Sequence, residues 1–299
     1  VATTSHALPG TGRRRTSTVV FRLCTYGALL LIVVLSAWML IGVVGRAIPH
    51  FSWSVLYTTS EGTTGGLLNA ILGTLLLMAG VLVIAGSIGV MHGIHMAELS
   101  KPKNNGKMGP VNAFLRSVTE ILAGFPSIVL GYVGYVALVV GLHWGFSLLP
   151  ALLILSMMVI PYIAKSTDTA LRSVPTNYRE GAEALGMSTS YSMRKVVLKT
   201  AFPGIVTGLL LALAIAGGET APLLYTAGWS NSVPTLQLTH SPVGYLTYPI
   251  WTWYDLPQKQ ANYLAYDAAL IVVVLILVLL VAARLVVSRS QRHAEGRAA

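Results

Sequence analysis

The sequence predicts an all-α polytopic membrane protein with six transmembrane helices. Three observations lead there: a scarcity of charge, six long apolar runs, and a lopsided placement of lysine and arginine. Charged residues make up 10% of the 299 and apolar ones 54%, with a mean hydropathy of +0.69. A soluble chain carries charge on about a quarter of its residues. The medium around most of this chain is therefore lipid.

Taken in order, residues 1–17, with Gly10, Gly12 and Arg13-Arg14-Arg15, read as a disordered basic tail. A basic stretch before an apolar one imitates a secretory signal. The run from Phe21 to Val44 is too long for a signal core, however, and no A-x-A cleavage site follows. It reads as a retained anchor and the first span, 21–45. Its Cys24, the single cysteine, excludes an intrachain disulfide and reads as a small buried apolar residue. Further spans are expected at 68–94, 113–142, 146–165, 203–228 and 266–288, long enough to cross a hydrocarbon core of about 30 Å. Between them, 46–67 carries Pro49, Glu61 and a Gly-Thr-Thr-Gly-Gly turn, and 95–112 carries Pro102, Asn104-Asn105-Gly106 and three lysines. Residues 166–202 are polar and helical in pattern, and 229–265 are rich in Trp, Tyr and Pro. The chain thus divides into the tail 1–17, a membrane domain 18–288 and a basic C-terminal tail 289–299.

The net charge of +10 could suit nucleic acid, but no basic patch interleaved with aromatics occurs. Placing the N-terminus in the cytoplasm leaves only Arg46 and Lys259 outside, out of 20 lysines and arginines. That asymmetry fixes an even number of spans with both termini cytoplasmic. Glycine pairs four apart, Gly89 and Gly93, Gly141 and Gly145, Gly204 and Gly208, are expected where helices pack closely.

The cytoplasmic segment 166–202 reads as two short helices. Pro175 suits the first turn of one, Gly186 ends it, and Ser188 or Thr189 caps the next. Within it, Glu180-Gly181-Ala182, three residues and then Gly186 resemble the E-A-A-x-x-x-G loop of ABC import permeases. The resemblance implies a type I ABC importer permease fold, in which this coupling loop docks on an ATP-binding subunit through Arg179, Glu180, Gly181, Ala182 and Gly186. The sequence departs from that family's I-x-L-P at Val196-Val197-Leu198-Lys199.

Gly217-Gly218-Glu219-Thr220-Ala221-Pro222-Leu223-Leu224 in the fifth run narrows the likeness. With Pro126-Ser127-Ile128-Val129, Arg172-x-Val174-Pro175 and Leu198-Lys199, it is similar to the phosphate-specific permeases of the PstA type, from about residue 20 onward. Glu219 is read as the one acidic residue deep in a span, a place where carboxylates face a cavity or a partner charge. Pro222 has no N–H, so the Gly218 carbonyl loses its helical donor and a polar break is expected around Gly218, Glu219, Thr220 and Pro222. A structural Glu tying two helices together is the rival reading. The family likeness leads one to expect an arginine one turn before Glu219; Ile215 stands there.

His92, His95 and Glu98 share a helix face and could hold a metal, but the site would need more ligands. The resemblance places them in a recurrent G-I-x-x-A-E stretch, here Gly93–Glu98. No catalytic nucleophile spacing and no P-loop occur, so no ATP hydrolysis and no cofactor are expected in this chain; ATP and Mg would be bound by the partner subunits. The implied partners are an ATP-binding subunit dimer, a second permease of the PstC type, an extracytoplasmic phosphate-binding protein and membrane lipid. The aromatic stretch 229–265 reads as an interfacial belt or as the docking surface for that binding protein. The expected setting is a bacterial inner membrane. The alternatives are an ABC permease for molybdate or sulfate, or a standalone channel or secondary transporter.

Overall fold

Residues 11–99 and 109–295 are described by the computed structural model of the chain, which divides between His50 and Phe51 into two units. The first holds one helix, α1 (Thr11–Ala47), without a proline or an acidic group. At 1.5 Å per residue its 37 residues run for about 55 Å. It starts within the stretch predicted to be a disordered tail, so 11–17 are helical; residues 1–10 lie outside the described residues. Cys24, predicted to be buried, is exposed. The reason is that α1 is apolar all round, from Phe21 to Ile41, and no side of it is reserved for a core.

The second unit opens with a 3₁₀ turn, Trp53–Leu56, whose first N–H groups are capped by Ser52. A short antiparallel hairpin follows, β1 (Ser60–Glu61) and β2 (Thr64–Gly65), turning at Gly62 as the glycine-rich sequence predicts. Helix α2 (Leu68–Ile94) ends in a π-helical turn, His95–Leu99. The lysines predicted to follow it, Lys101, Lys103 and Lys107, lie outside the described residues.

The third apolar run is not one helix. It forms α3 (Pro110–Ala123) and α4 (Ser127–Gly134), the latter continued by a π-helix to Gly141, with a bend of 103° between them. The cause is local: Pro126 cannot donate, and it holds the residue before it out of the helical region. Then come α5 (Leu148–Arg172), α6 (Thr176–Ala184), α7 (Thr189–Ser192) with a π turn Met193–Val197, and α8 (Leu198–Gly218). The chain ends with α9 (Ala221–Thr226), α10 (Thr247–Thr252) and α11 (Lys259–Glu295). Among the described residues five single helices are long and apolar enough to cross a membrane, and the bent pair, counted as one span, makes six. The predicted basic tail 289–299 continues α11 to Glu295.

Helix α5 is the centre of the packing. A Cβ at Gly89 would lie 2.7 Å from Ile163, and one at Gly93 would lie 2.5 Å from Thr167, so α2 seats against α5 on two glycines. From the other side a Cβ at Gly204 would meet Ala170 at 2.8 Å and one at Gly208 would meet the Ser166 hydroxyl at 2.2 Å. Dispersion over so close an approach is what holds helices together where lipid offers no hydrophobic drive. The third pair behaves otherwise. Gly141 meets only its own helix and Gly145, at φ +64, sits in the turn between α4 and α5.

On the extracytoplasmic side of the predicted topology, buried Asn69 knits three segments. Its amide donates to the Ser60 hydroxyl at 3.0 Å and to the Ser230 carbonyl at 2.7 Å, while its oxygen accepts the Ser60 N–H at 3.2 Å. The aromatic stretch splits in two here. Trp229 stacks on Tyr248 at 4.7 Å and meets Trp253 edge-on at 5.1 Å, and Trp253 and Tyr245 are core residues. Burial, then the neighbouring Tyr248, push the Tyr245 phenol above the ordinary tyrosine range. Only Trp251 and Tyr254 present a largely exposed face.

Candidate functional site

The fifth apolar run breaks where Pro222 and the double glycine demand it. Helix α8 stops at Gly218, Glu219 is extended (φ −72, ψ 139), and the chain re-enters a helix after Thr220, with Pro222 in the first turn of α9. Thr220 supplies the carbonyl that accepts the N–H groups of Leu223 and Leu224, both at 3.1 Å. The break is pinned from outside by α10, whose Thr247 hydroxyl donates to the Glu219 carbonyl at 2.7 Å.

Two motifs far apart in sequence meet at this point. The bend at Pro126 puts Ser127 at the start of α4, and its side chain lies beside the half-buried Glu219 side chain. Glycines make the meeting possible. A Cβ at Gly131 would stand 2.6 Å from the Pro222 Cα, and one at Gly134 would stand 2.4 Å from Ile154 and 3.1 Å from Thr226. Tyr225 closes the junction edge-on to Tyr132 and Tyr135, at 6.1 and 6.4 Å. Helix starts leave N–H groups unpaired and carry partial positive charge, so α4 presents donors where an anionic group sits. Among the described residues no lysine or arginine forms an ion pair with Glu219. Ile215, where the resemblance implies an arginine, packs against the core shared by α2 and α5.

The cytoplasmic loop is the second candidate. Helix α6 ends in a two-bond C-cap: the Gly186 N–H donates to Glu183 at 2.9 Å and the Met187 N–H to Ala182 at 3.1 Å. Gly186 adopts φ +72, the left-handed conformation this cap requires and glycine takes without penalty. Pro175 precedes α6 as its cap residue, one place earlier than predicted, and Ser188 precedes α7. Of the loop residues, Ala182 is buried as the anchor, whereas Glu180, Gly181 and Gly186 are exposed. Among the described residues nothing comes close to Gly181 or Gly186, and Leu185 is 76% exposed. Arg179 does not join that face. It turns inward to Glu98 at 2.7 Å and to the Leu171 carbonyl at 3.2 Å. Val197, in the run that departs from I-x-L-P, fills a small core with Leu171 and Val174 beneath the loop, and Lys199 stays exposed.

The three residues weighed as a metal face have separate protein partners. His92 hydrogen-bonds Thr119 at 2.7 Å, His95 hydrogen-bonds Asn112 at 2.8 Å, and Glu98 pairs with Arg179. One buried carboxylate escaped the sequence reading. Helix α11 starts at Lys259, not near 266, so Asp267 lies two turns inside it, 1% exposed and with one oxygen lacking a hydrogen-bond partner. The signal was present as a lone Asp ahead of an apolar run, but a misplaced helix start put it at a surface.

Comparison with known proteins bears on both regions. Residues 89–292 match the family described as binding-protein-dependent transport system inner membrane component. The chain is 58% identical over 255 residues to the phosphate transport system permease protein PstA 2 of Mycobacterium tuberculosis, covering 85% of this chain and 82% of that one. It is 33% identical over 251 residues to the probable phosphate transport system permease protein PstA of Methanocaldococcus jannaschii, covering 83% and 86%. In fold it resembles inward-facing structures of the MetNI methionine ABC transporter, with TM-score 0.55, 19% identity and coverage of 80% and 96%. A bacterial ABC transporter that imports the acidic polysaccharide alginate matches at TM-score 0.55 and 16% identity, covering 93% and 99%. The chain belongs to the family of binding-protein-dependent transport system inner membrane components.

Proposed function

We propose that this chain is the PstA-type permease subunit of an ATP-driven inorganic phosphate importer, with no chemical step of its own. The observation that carries the reading is the junction of Ser127 with Glu219 at two helix breaks, beside relatives named as phosphate permeases. Polar backbone exposed at membrane depth is tolerated where it lines a cavity or is buried in protein. Gly218, Glu219, Thr220 and Pro222 form this chain's share of the translocation pathway. A second permease, of the PstC type, supplies the other share and the cation that Glu219 lacks here. Energy enters at Glu180, Gly181 and Gly186, held from beneath by the buried Ala182, where the loop seats against a dimer of ATP-binding subunits that holds ATP and Mg. Both termini lie in the cytoplasm, and the extracytoplasmic phosphate-binding protein delivers substrate to the surface that includes Trp251 and Tyr254.

The test is uptake of radiolabelled phosphate by cells lacking their own phosphate importer, given this chain with its neighbouring permease, ATPase and binding protein. Uptake that unlabelled phosphate suppresses and sulfate or molybdate does not is the expected result. Good assembly with uptake of molybdate or sulfate instead would replace the substrate and keep the transporter class. Transport by this chain alone, without ATP, would return the reading to a channel or secondary transporter.

A further inference from the structure

The stretch Gly93–Glu98 belongs to neither the break nor the docking face, yet it is tied to both α5 and α6. Arg179 bridges to Glu98 at 2.7 Å, with the two side chains only 25% and 15% exposed. The same guanidinium nitrogen donates to the Leu171 carbonyl at 3.2 Å, and Arg172 donates to the Met96 carbonyl at 2.9 Å. Among the described residues, Arg179 is the side chain of α6 that makes polar contact with the membrane helices. The end of α2 that receives it is wound as a π-helix, a form found mostly as single turns at functional positions.

The other end of α2 reaches the intramembrane break. Thr74 accepts the Leu246 N–H at 2.9 Å, and the next residue, Thr247, donates to the Glu219 carbonyl at 2.7 Å. Between Thr74 and Glu98 the helix spans about 36 Å at its standard rise. It is held along that length by the close contacts of Gly80, Gly89 and Gly93 with α5. We propose that α2 is a lever. Arg179 and Glu98 are positioning residues that pass the displacement of the coupling helix to α2, and Thr74, Leu246 and Thr247 pass it on to the Glu219 break.

The inference rests on the proposed docking of the loop, and the failures of the two are distinguishable. Contiguity alone does not establish coupling, so the test must measure coupling. The readout is phosphate moved per ATP hydrolysed by the complete complex in proteoliposomes, supplied with phosphate-loaded binding protein. Neutralising one member of a largely buried pair strands the other, so Glu98→Gln and Arg179→Gln are each expected to lower that ratio about tenfold. The swap Glu98→Arg with Arg179→Glu is expected to recover most of it. Thr74→Val, at the far end, is expected to lower the ratio and to be non-additive with Glu98→Gln, as members of one network are. The double variant Glu98→Gln/Arg179→Gln, which leaves no stranded charge, covers the case in which single variants fail to assemble. A ratio unchanged while transport and hydrolysis fall together would mark the pair as purely structural and overturn the lever. So would a swap no better than the single variants. Failure of the proposed function looks different: the unaltered complex would itself move no phosphate on ATP.

Discussion

The helix break at Glu219 and the coupling helix α6 are both short interruptions between long helices, and they are built in opposite ways. At the break the chain closes in on itself. Ser127 meets the Glu219 side chain, Thr247 holds its carbonyl, and Gly131 admits Pro222 at a distance no larger residue allows. Along α6 only Ala182 and Arg179 turn inward, while Glu180, Gly181, Leu185 and Gly186 face open space. The first arrangement is a helix break held by neighbouring elements, with no lysine or arginine among the described residues paired to its carboxylate. The second is an exposed surface, the one proposed to seat a partner. On the proposed function the difference matches two tasks of a driven permease, a preorganised break for the cargo and a bare face for the energy.

Substitutions put this contrast to the test. The largest effect is expected at Glu219. Glu219→Gln keeps the shape but removes the ionisable carboxylate, and phosphate uptake should fall by at least about tenfold. Radiolabelled uptake normalised to assembled complex checks it. Next comes Gly131→Leu, which must displace the Pro222 backbone and should lower stability by about 1–3 kcal/mol. Thermal unfolding of the detergent-solubilised chain reads that loss. At the other region, Gly186→Val forces a β-branched residue to φ +72 and should cost about 1–2 kcal/mol, with loss of ATP-binding subunit from the complex. Gly186→Asn, which tolerates that conformation, should be nearly silent.

Gly181→Ala sharpens the contrast further because its two readouts should diverge. Among the described residues nothing stands near an added methyl, so helix propensity alone should stabilise the isolated chain by up to about 1 kcal/mol. A close-fitting ATP-binding subunit would be held off by the same methyl, lowering its retention. The smallest effect is expected from Arg116→Ala. Its partner Glu120 lies 3.2 Å away on the outer face of α3, and both are more than half exposed. Such pairs are worth about 0–1 kcal/mol, so unfolding temperature should barely move.

Where determinants are local, the sequence announced them. Pro222 and the double glycine dictated the break at Glu219, and Gly186 dictated the end of α6, because each acts on the backbone within a turn of itself. The apolar runs were legible for the same reason. The bend at Pro126 was missed because apolarity is the same for a straight span and a bent one, although the proline that causes it was in view. The inward turn of Arg179 depends on Glu98, 81 positions earlier, and no pattern along the chain reports such a meeting. Glycine spacing was legible as a tendency but not as contact: Gly204 and Gly208 pack on α5, whereas Gly141 and Gly145, equally spaced, do not. Asp267 was hidden by a helix start placed seven residues late.

The most direct test of the division between cargo and energy is retention of the ATP-binding subunit by the solubilised permease pair. It should be compared between Glu219→Gln and Gly186→Val. The account predicts full retention with the first variant and loss with the second. Equal retention by both, or loss with Glu219→Gln alone, would contradict it.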